Sequence, residues 1–247
     1  MERINKFLKC INNRGGVKIL LLTNIVTLLI LLWLLKTGGY IHKLKVELGL
    51  IEAPVAPDYW SVKGWENTVK QLNIKRDIAF FGNSITYYGN FQAAYPDKKV
   101  INLGYPGDNL DGMLKRVETL KAVSPDKIFL MGGINGLKNM DFQTFKQKYG
   151  ILVDSVQTEL PHSQIYLQSI LPISKMKEKD YGSNVKIVEC NKIIQKIAKE
   201  KRCVYVDLYS LYVKDGEMPE SLTEDGIHLR TEAYDRWYNS ERQIVEK

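Results

Sequence analysis

The chain has little of what metal and redox sites are built from. Its 247 residues contain three cysteines (Cys10, Cys190, Cys203) and three histidines (His42, His162, His228). None falls in a Cys-x-x-Cys or His-Glu-x-x-His spacing, so no metal site is expected. Cys190 lies inside a predicted helix and Cys203 opens the next strand. About ten helical residues at about 1.5 Å each hold them roughly 15 Å apart, too far for a bridge, so both are expected as buried free thiols. No Gly-x-Gly-x-x-Gly occurs, and no glycine-rich loop ends in Gly-Lys-Ser/Thr. Dinucleotide and P-loop chemistry are thereby excluded, and no cofactor is expected. Internal repeats and low-complexity tracts are also missing.

The formal charge of +7 is not spread over the chain. Residues 1–45 hold eight of the 35 Lys and Arg but one of the 28 Asp and Glu, so the remainder carries 27 of each. That balance gives the body of the protein no electrostatic case for nucleic acid. The basic residues instead flank an apolar run. Ile19 to Leu35 is interrupted only by Thr23, Asn24 and Thr27, with Lys18 and Lys36 at its ends and Trp33 near one of them. As a helix it rises about 25 Å, close to the roughly 30 Å hydrocarbon core, and the lysines can snorkel. A cleaved signal peptide has a shorter apolar core, and no Ala-x-Ala-like site follows. Arg3, Lys6, Lys9, Arg14 and Lys18 precede the run, against Lys36, Lys43 and Lys45 after it. The positive-inside rule then predicts a cytoplasmic tail over 1–18, a signal-anchor helix over 19–36, a linker over 37–58 and an extracytoplasmic domain over 59–247.

Within that domain Tyr59 to Leu72 has helical spacing, and short apolar runs then alternate with longer amphipathic ones. Strands are predicted at Ile78–Phe81, Lys99–Leu103, Lys127–Met131, Gln164–Ile170 and Cys203–Leu208. Helices are predicted at Asn109–Val123, Asp141–Leu160, Asn184–Lys199 (with Val185, Val188, Ile193, Ile194 and Ile197 apolar) and Thr231–Val245. This alternation implies an α/β fold. The expected form is a three-layer α/β/α sandwich on a flavodoxin-like parallel five-stranded sheet, order 2-1-3-4-5.

Three strand ends carry small or turn-forming residues: Gly82-Asn83-Ser84, Gly104-Tyr-Pro-Gly107 and Gly133-Ile-Asn135. In a parallel sheet all three loops reach one edge, where ligands bind. A fourth stretch, Asp225-Gly-Ile-His228, precedes the last helix. His42 abuts the apolar run and His162 follows Pro161 at a helix end. Only His228 has an acid three residues before it, spaced so that the carboxylate can hold the imidazole tautomer. Taken singly, Gly-Asn-Ser is a common turn and Asp-Gly-Ile-His a capped helix start.

Together, in this order and at these strand ends, the four stretches resemble the blocks of the SGNH, or GDSL-type, hydrolase family. The likeness covers about residues 75–240. Asp108 and the following helix resemble the platelet-activating-factor acetylhydrolase-like branch. The resemblance implies Ser84 as nucleophile, His228 as base and Asp225 as its orienter. It also implies an oxyanion hole from the backbone N–H groups of Ser84 and Gly107 and the Asn135 side chain. The chain departs from the family at Asn83 and Gly136, where acids are usual. The activity implied is hydrolysis of a carboxylic ester through an acyl-serine, and an extracytoplasmic anchor points to O-acetylated envelope glycan or lipid. Acyl transfer to a sugar by the same residues, and a catalytically dead glycan-binding module, are the alternatives. Tyr87, Tyr88 and Tyr105 are candidates to line the acyl or alcohol pocket.

Overall fold

The computed structural model describes residues 22–29, 64, 67–71 and 75–247. The expected basic tail and linker lie outside these residues. Of the expected anchor only 22–29 are described; they are helical, with Leu22, Ile25, Val26, Leu28 and Leu29 exposed. Among the described residues no helix is long and apolar enough to cross a membrane. The chain divides into two compact units, Met1–Pro54 and Val55–Lys247. The second contains the α/β fold.

Its five strands are β1 (Ile78–Gly82), β2 (Val100–Gly104), β3 (Lys127–Met131), β4 (Gln164–Gln168) and β5 (Val204–Val206). They form one sheet in the order β2-β1-β3-β4-β5, every pair parallel. The strand order reverses between β1 and β3, so a crevice opens at their carboxyl ends. Along β1 all five residues are buried, which is why this strand reads as a continuous apolar run rather than an alternating one.

Helices cover both faces. On one, Phe80, Phe129 and Tyr166 lie side by side across β1, β3 and β4, with ring centroids 4.7 Å apart at each step. Phe91, in the short α2 (Phe91–Ala94) that follows α1 (Ser84–Tyr87), stacks on Phe80 at 3.7 Å. Trp237 of the last helix then meets Phe91 at 5.4 Å. On the other face pack α3 (Leu110–Lys115), α4 (Val117–Val123), α5 (Phe142–Glu159) and, beyond α6 (Glu178–Tyr181), α7 (Asn184–Glu200). After β5 come α8 (Tyr209–Tyr212) and α9 (Tyr234–Glu246). Full burial of a side chain such as Phe80 or Phe129 stabilises by about 1.5–3 kcal/mol, so the aromatic row is a main source of sheet–helix cohesion.

Four expectations need correction. The single helix over Asn109–Val123 is two, broken at Arg116, whose φ of −101° and ψ of 5° leave the helical region. Arg116 turns inward there to reach partners described below, and the chain bends to let it. In α7 the apolar face is Ile187, Cys190, Ile194 and Ile197, whereas Val185 is 74% exposed. Of the two free thiols Cys190 is buried but Cys203 is only half-buried. The fourth and fifth strands stop at Gln168 and Val206, because Ser169 uses its hydroxyl to cap the chain after β5, accepting from Leu208 and Tyr209 N–H.

Candidate active site

β1 delivers Ser84 to the crevice. Gly82 ends the strand, and Asn83 caps α1 by accepting a 2.9 Å hydrogen bond from the Ile85 N–H through its side chain. Asparagine thus supplies the acceptor that the family's usual acid would, without its charge. The turn is held from both sides. Tyr105 N–H donates to Gly82 O at 2.9 Å, and the Tyr234 hydroxyl donates to Ile85 O at 2.6 Å. Ser84 is consequently 9% exposed, with little freedom around it.

The loop before α9 brings the second half of the site. Thr223 and Leu229 bridge it, Glu224 N–H and the Thr223 hydroxyl both donate to His228 O, and Gly226 N–H donates to Thr223 Oγ1. Gly226 has a φ of 93°, and a methyl group there would collide with Ser174 and Lys177, so only glycine fits. The turn points Asp225 back on its own loop. Asp225 Oδ1 accepts from the Ile227 and His228 N–H groups at 3.1 and 2.9 Å, and Oδ2 lies 2.9 Å from His228 Nδ1. On the far side of the ring, His228 Nε2 lies 2.9 Å from Ser84 Oγ. Residues 144 positions apart are therefore in direct contact. Burial alone would raise the Asp225 carboxyl. The His228 backbone and ring and the Ile227 N–H outweigh that and hold it below the ordinary aspartate value. It stays a carboxylate, able to fix the imidazole with Nδ1 protonated and Nε2 free to accept the serine proton.

Gly107 and Asn135 stand on the neighbouring loops at the same sheet edge, after β2 and β3. Gly107 is exposed, with a φ of 77°. The Asn135 amide nitrogen donates to Asp108 O at 2.7 Å, which ties the third block to the second. An amide has two N–H donors, so one remains for another acceptor. Gly136, with a φ of 83°, starts a short turn over Leu137–Asn139 and makes no close approach that would exclude a side chain on steric grounds.

Beneath these loops lies a pair the sequence did not reveal. Arg116 Nε and Nη2 donate to Asp108 Oδ2 at 2.9 and 2.6 Å. Nη1 donates to Leu103 O and Nη2 to Gly82 O, both at 3.3 Å. The guanidinium also lies over the Phe81 and Tyr105 rings. One cation therefore clamps the ends of β1 and β2 and the residue after Gly107. The available signal was an arginine inside an apolar helical stripe eight residues after an aspartate.

Beside His228 a cleft of about 360 Å³ opens, and Tyr88 at its edge sits 5.5 Å from the imidazole at 87°. Another cleft, of about 410 Å³, is lined by Ser174, Lys175, Glu217 and Glu220 and contains none of these site residues.

A serine, histidine and aspartate hydrogen-bonded in series at the carboxyl edge of a flavodoxin-like sheet define the class of serine hydrolases that work by acyl transfer. The GDSL-like lipase/acylhydrolase family matches residues 80–236, and the chain belongs to that family. It is a serine ester hydrolase by that membership. Among solved structures it is similar to a Streptococcus pneumonia protein assigned as a platelet activating factor, with 24% identity over 74% of this chain and 92% of the other, TM-score 0.67. It is also similar to a GDSL-like lipase from Bacteroides thetaiotaomicron (21% identity, 75% and 97% coverage, TM-score 0.61). An acetyl-xylooligosaccharide esterase from Geobacillus Stearmophilus aligns at 20% identity, 70% and 95% coverage and TM-score 0.55. No curated protein matches the chain. At these identities the structural likeness speaks for the fold alone.

Proposed function

We propose that Ser84 cleaves a short-chain carboxylic ester through an acyl-enzyme, in a domain held outside the cytoplasm by residues 19–36. The observation that supports it best is that the two ring nitrogens of His228 join Ser84 to Asp225, with Nε2 2.9 Å from Ser84 Oγ and Nδ1 2.9 Å from Asp225 Oδ2. Ser84 Oγ attacks the ester carbonyl while Nε2 takes its proton. Asp225 steadies the imidazolium that results. The negative charge on the carbonyl oxygen is met by the Ser84 and Gly107 N–H groups and the free Asn135 N–H. His228 then returns its proton to the departing alcohol. Water enters, is deprotonated by the same nitrogen, and releases the acid from Ser84.

Location rests on the sequence: an apolar run flanked by lysines, with basic residues concentrated before it. That position favours an O-acetylated envelope glycan or lipid as substrate. Transfer of the acyl group to a glycan acceptor uses the same residues and differs only in what accepts the acyl group. The deciding experiment incubates the full-length protein with acetyl esters, with and without acceptor glycan, beside Ser84→Ala. Free acid released by the parent and not by the variant supports hydrolysis. Equal release by both overturns the assignment of Ser84. A fluorophosphonate that fails to label Ser84 would make the chain a binding module instead.

A further inference from the structure

We infer that the cleft beside His228 holds the alcohol half of the ester and that this alcohol is an uncharged sugar; the inference rests on the serine-esterase reading above. The imidazole fixes the side. His228 Nε2 lies 2.9 Å from Ser84 Oγ and must hand its proton to the leaving oxygen. The leaving oxygen therefore comes within hydrogen-bond reach of that nitrogen, and the rest of the alcohol projects past the imidazole. The cleft of about 360 Å³ opens there, with Tyr88, Glu224, Thr231 and Tyr234 around His228 and Asp225. Ligand pockets span about 300–1,000 Å³, so this one suits a single ring better than a long alkyl chain.

Its charges narrow the alcohol further. Among the described residues no lysine or arginine lines the cleft, while two carboxylates do. A phosphate-bearing alcohol would find no lysine or arginine there to bind it. A cationic alcohol fares no better, because both carboxylates are already paired. Glu224 Oε2 lies 3.1 Å from Arg230 Nη1, and Asp225 holds His228. What remains is a neutral molecule rich in hydroxyl donors, with Glu224 and Thr231 as acceptors. Tyr88 adds the apolar component. It is 57% exposed, edge-on to the imidazole, with Tyr87 against it at 5.3 Å. An exposed aromatic ring braced in this way can take the C–H face of a sugar ring.

The test compares the full-length protein on a mono-acetylated methyl glucoside and on vinyl acetate, whose leaving group is too small to reach Tyr88. Acetylcholine, acetylated glycerol phosphate and a long-chain alkyl acetate complete the panel. The parent is expected to prefer the sugar ester over every other member in kcat/KM. Tyr88→Ala should lower the sugar-to-vinyl preference about tenfold through KM, and Tyr88→Phe should keep it within about threefold. Glu224→Gln should lower it by a smaller factor. A preference ratio unchanged in Tyr88→Ala, in an enzyme that still cleaves vinyl acetate, overturns the subsite and leaves the esterase reading intact. A parent that prefers the choline, phosphate or alkyl ester overturns the sugar. A parent that cleaves none of them removes both readings.

Discussion

Asp225 and Glu241 lie at the two ends of one short piece of chain, the first in the loop before α9 and the second on α9 itself. Asp225 is 44% exposed on its side chain and accepts from two backbone N–H groups and an imidazole. Its carboxyl is held below the ordinary range. Glu241 is fully buried and meets the Gln168 amide at 2.6 Å and the Trp237 indole N–H at 2.9 Å. Burial outweighs those two bonds and pushes it up to about 8. The difference fits the role proposed for Asp225. A carboxylate that steadies a ring gaining and losing a proton must stay charged, and partial hydration with several donors keeps it so. A carboxyl that only ties α9 to β4 can be dry and neutral. Asp108 is a third case: it is fully buried beside Arg116, its charge matched by a cation rather than by water.

Removing the hydroxyl from the wet cluster should have the largest effect. Ser84→Ala is expected to lower ester hydrolysis by about 10⁴-fold or more while leaving the melting curve unchanged, read from initial rates and circular dichroism. Residual activity above about 1% would mean that the cluster is not where the chemistry occurs. Asp225→Asn follows, at about 10³–10⁴-fold in kcat, because an amide can stabilise the wrong tautomer of His228 and cannot balance its positive charge. Loss of rate without loss of stability at Asp225, set against an altered pH dependence of stability with an unchanged rate at Glu241, is the sharpest form of the contrast.

The paired charge should behave in between. Arg116→Met leaves the Asp108 carboxylate buried without its cation, a change that costs about 3–5 kcal/mol of folding stability. It also frees the Asp108 peptide, on which the Asn135 amide depends. The expected outcome is a lower urea midpoint together with a drop in kcat smaller than the 10²–10³-fold predicted for Asn135→Ala. A full-strength kcat in a destabilised Arg116→Met would separate the clamp from the oxyanion loops.

These three carboxyls also mark where the sequence was readable. The strand order, the three strand-end loops and the Asp225–His228 spacing could be read because apolar runs and glycine turns are local signals, and a parallel sheet collects its strand-end loops on one edge. Arg116 could not, because its partners are Asp108, the end of β1 and the end of β2, and a helical stripe from Leu110 to Leu120 gives no reason to break. Glu241 could not for the same reason. A charged residue on an amphipathic helix reads as solvent-facing, and only the packing of Trp237 and Gln168 around it reverses that. Val185 misled in the other direction: an apolar residue in the first turn of α7 lies outside the buried stripe.

Glu241→Gln should have the smallest effect on activity and the clearest effect on pH dependence. With a folded value of about 8 against an ordinary 4.5, the folded protein keeps a proton that the unfolded chain has lost. Below the unfolded value both states are protonated and the stability is at its full level. As pH rises toward 8 the unfolded chain is increasingly favoured, and above 8 the loss is complete. The loss amounts to roughly 5 kcal/mol across that window. Glutamine at 241 cannot ionise, keeps an acceptor for Trp237, and offers an N–H to Gln168 Oε1, which has no hydrogen-bond partner among the described residues. Urea melts at pH 5 and pH 8 should therefore converge in Glu241→Gln and differ in the parent, with hydrolysis rates at pH 7 the same in both. Parallel pH slopes in the two proteins would show that Glu241 is already ionised in the fold, and the distinction between a wet, charged carboxylate and a dry, neutral one would fail.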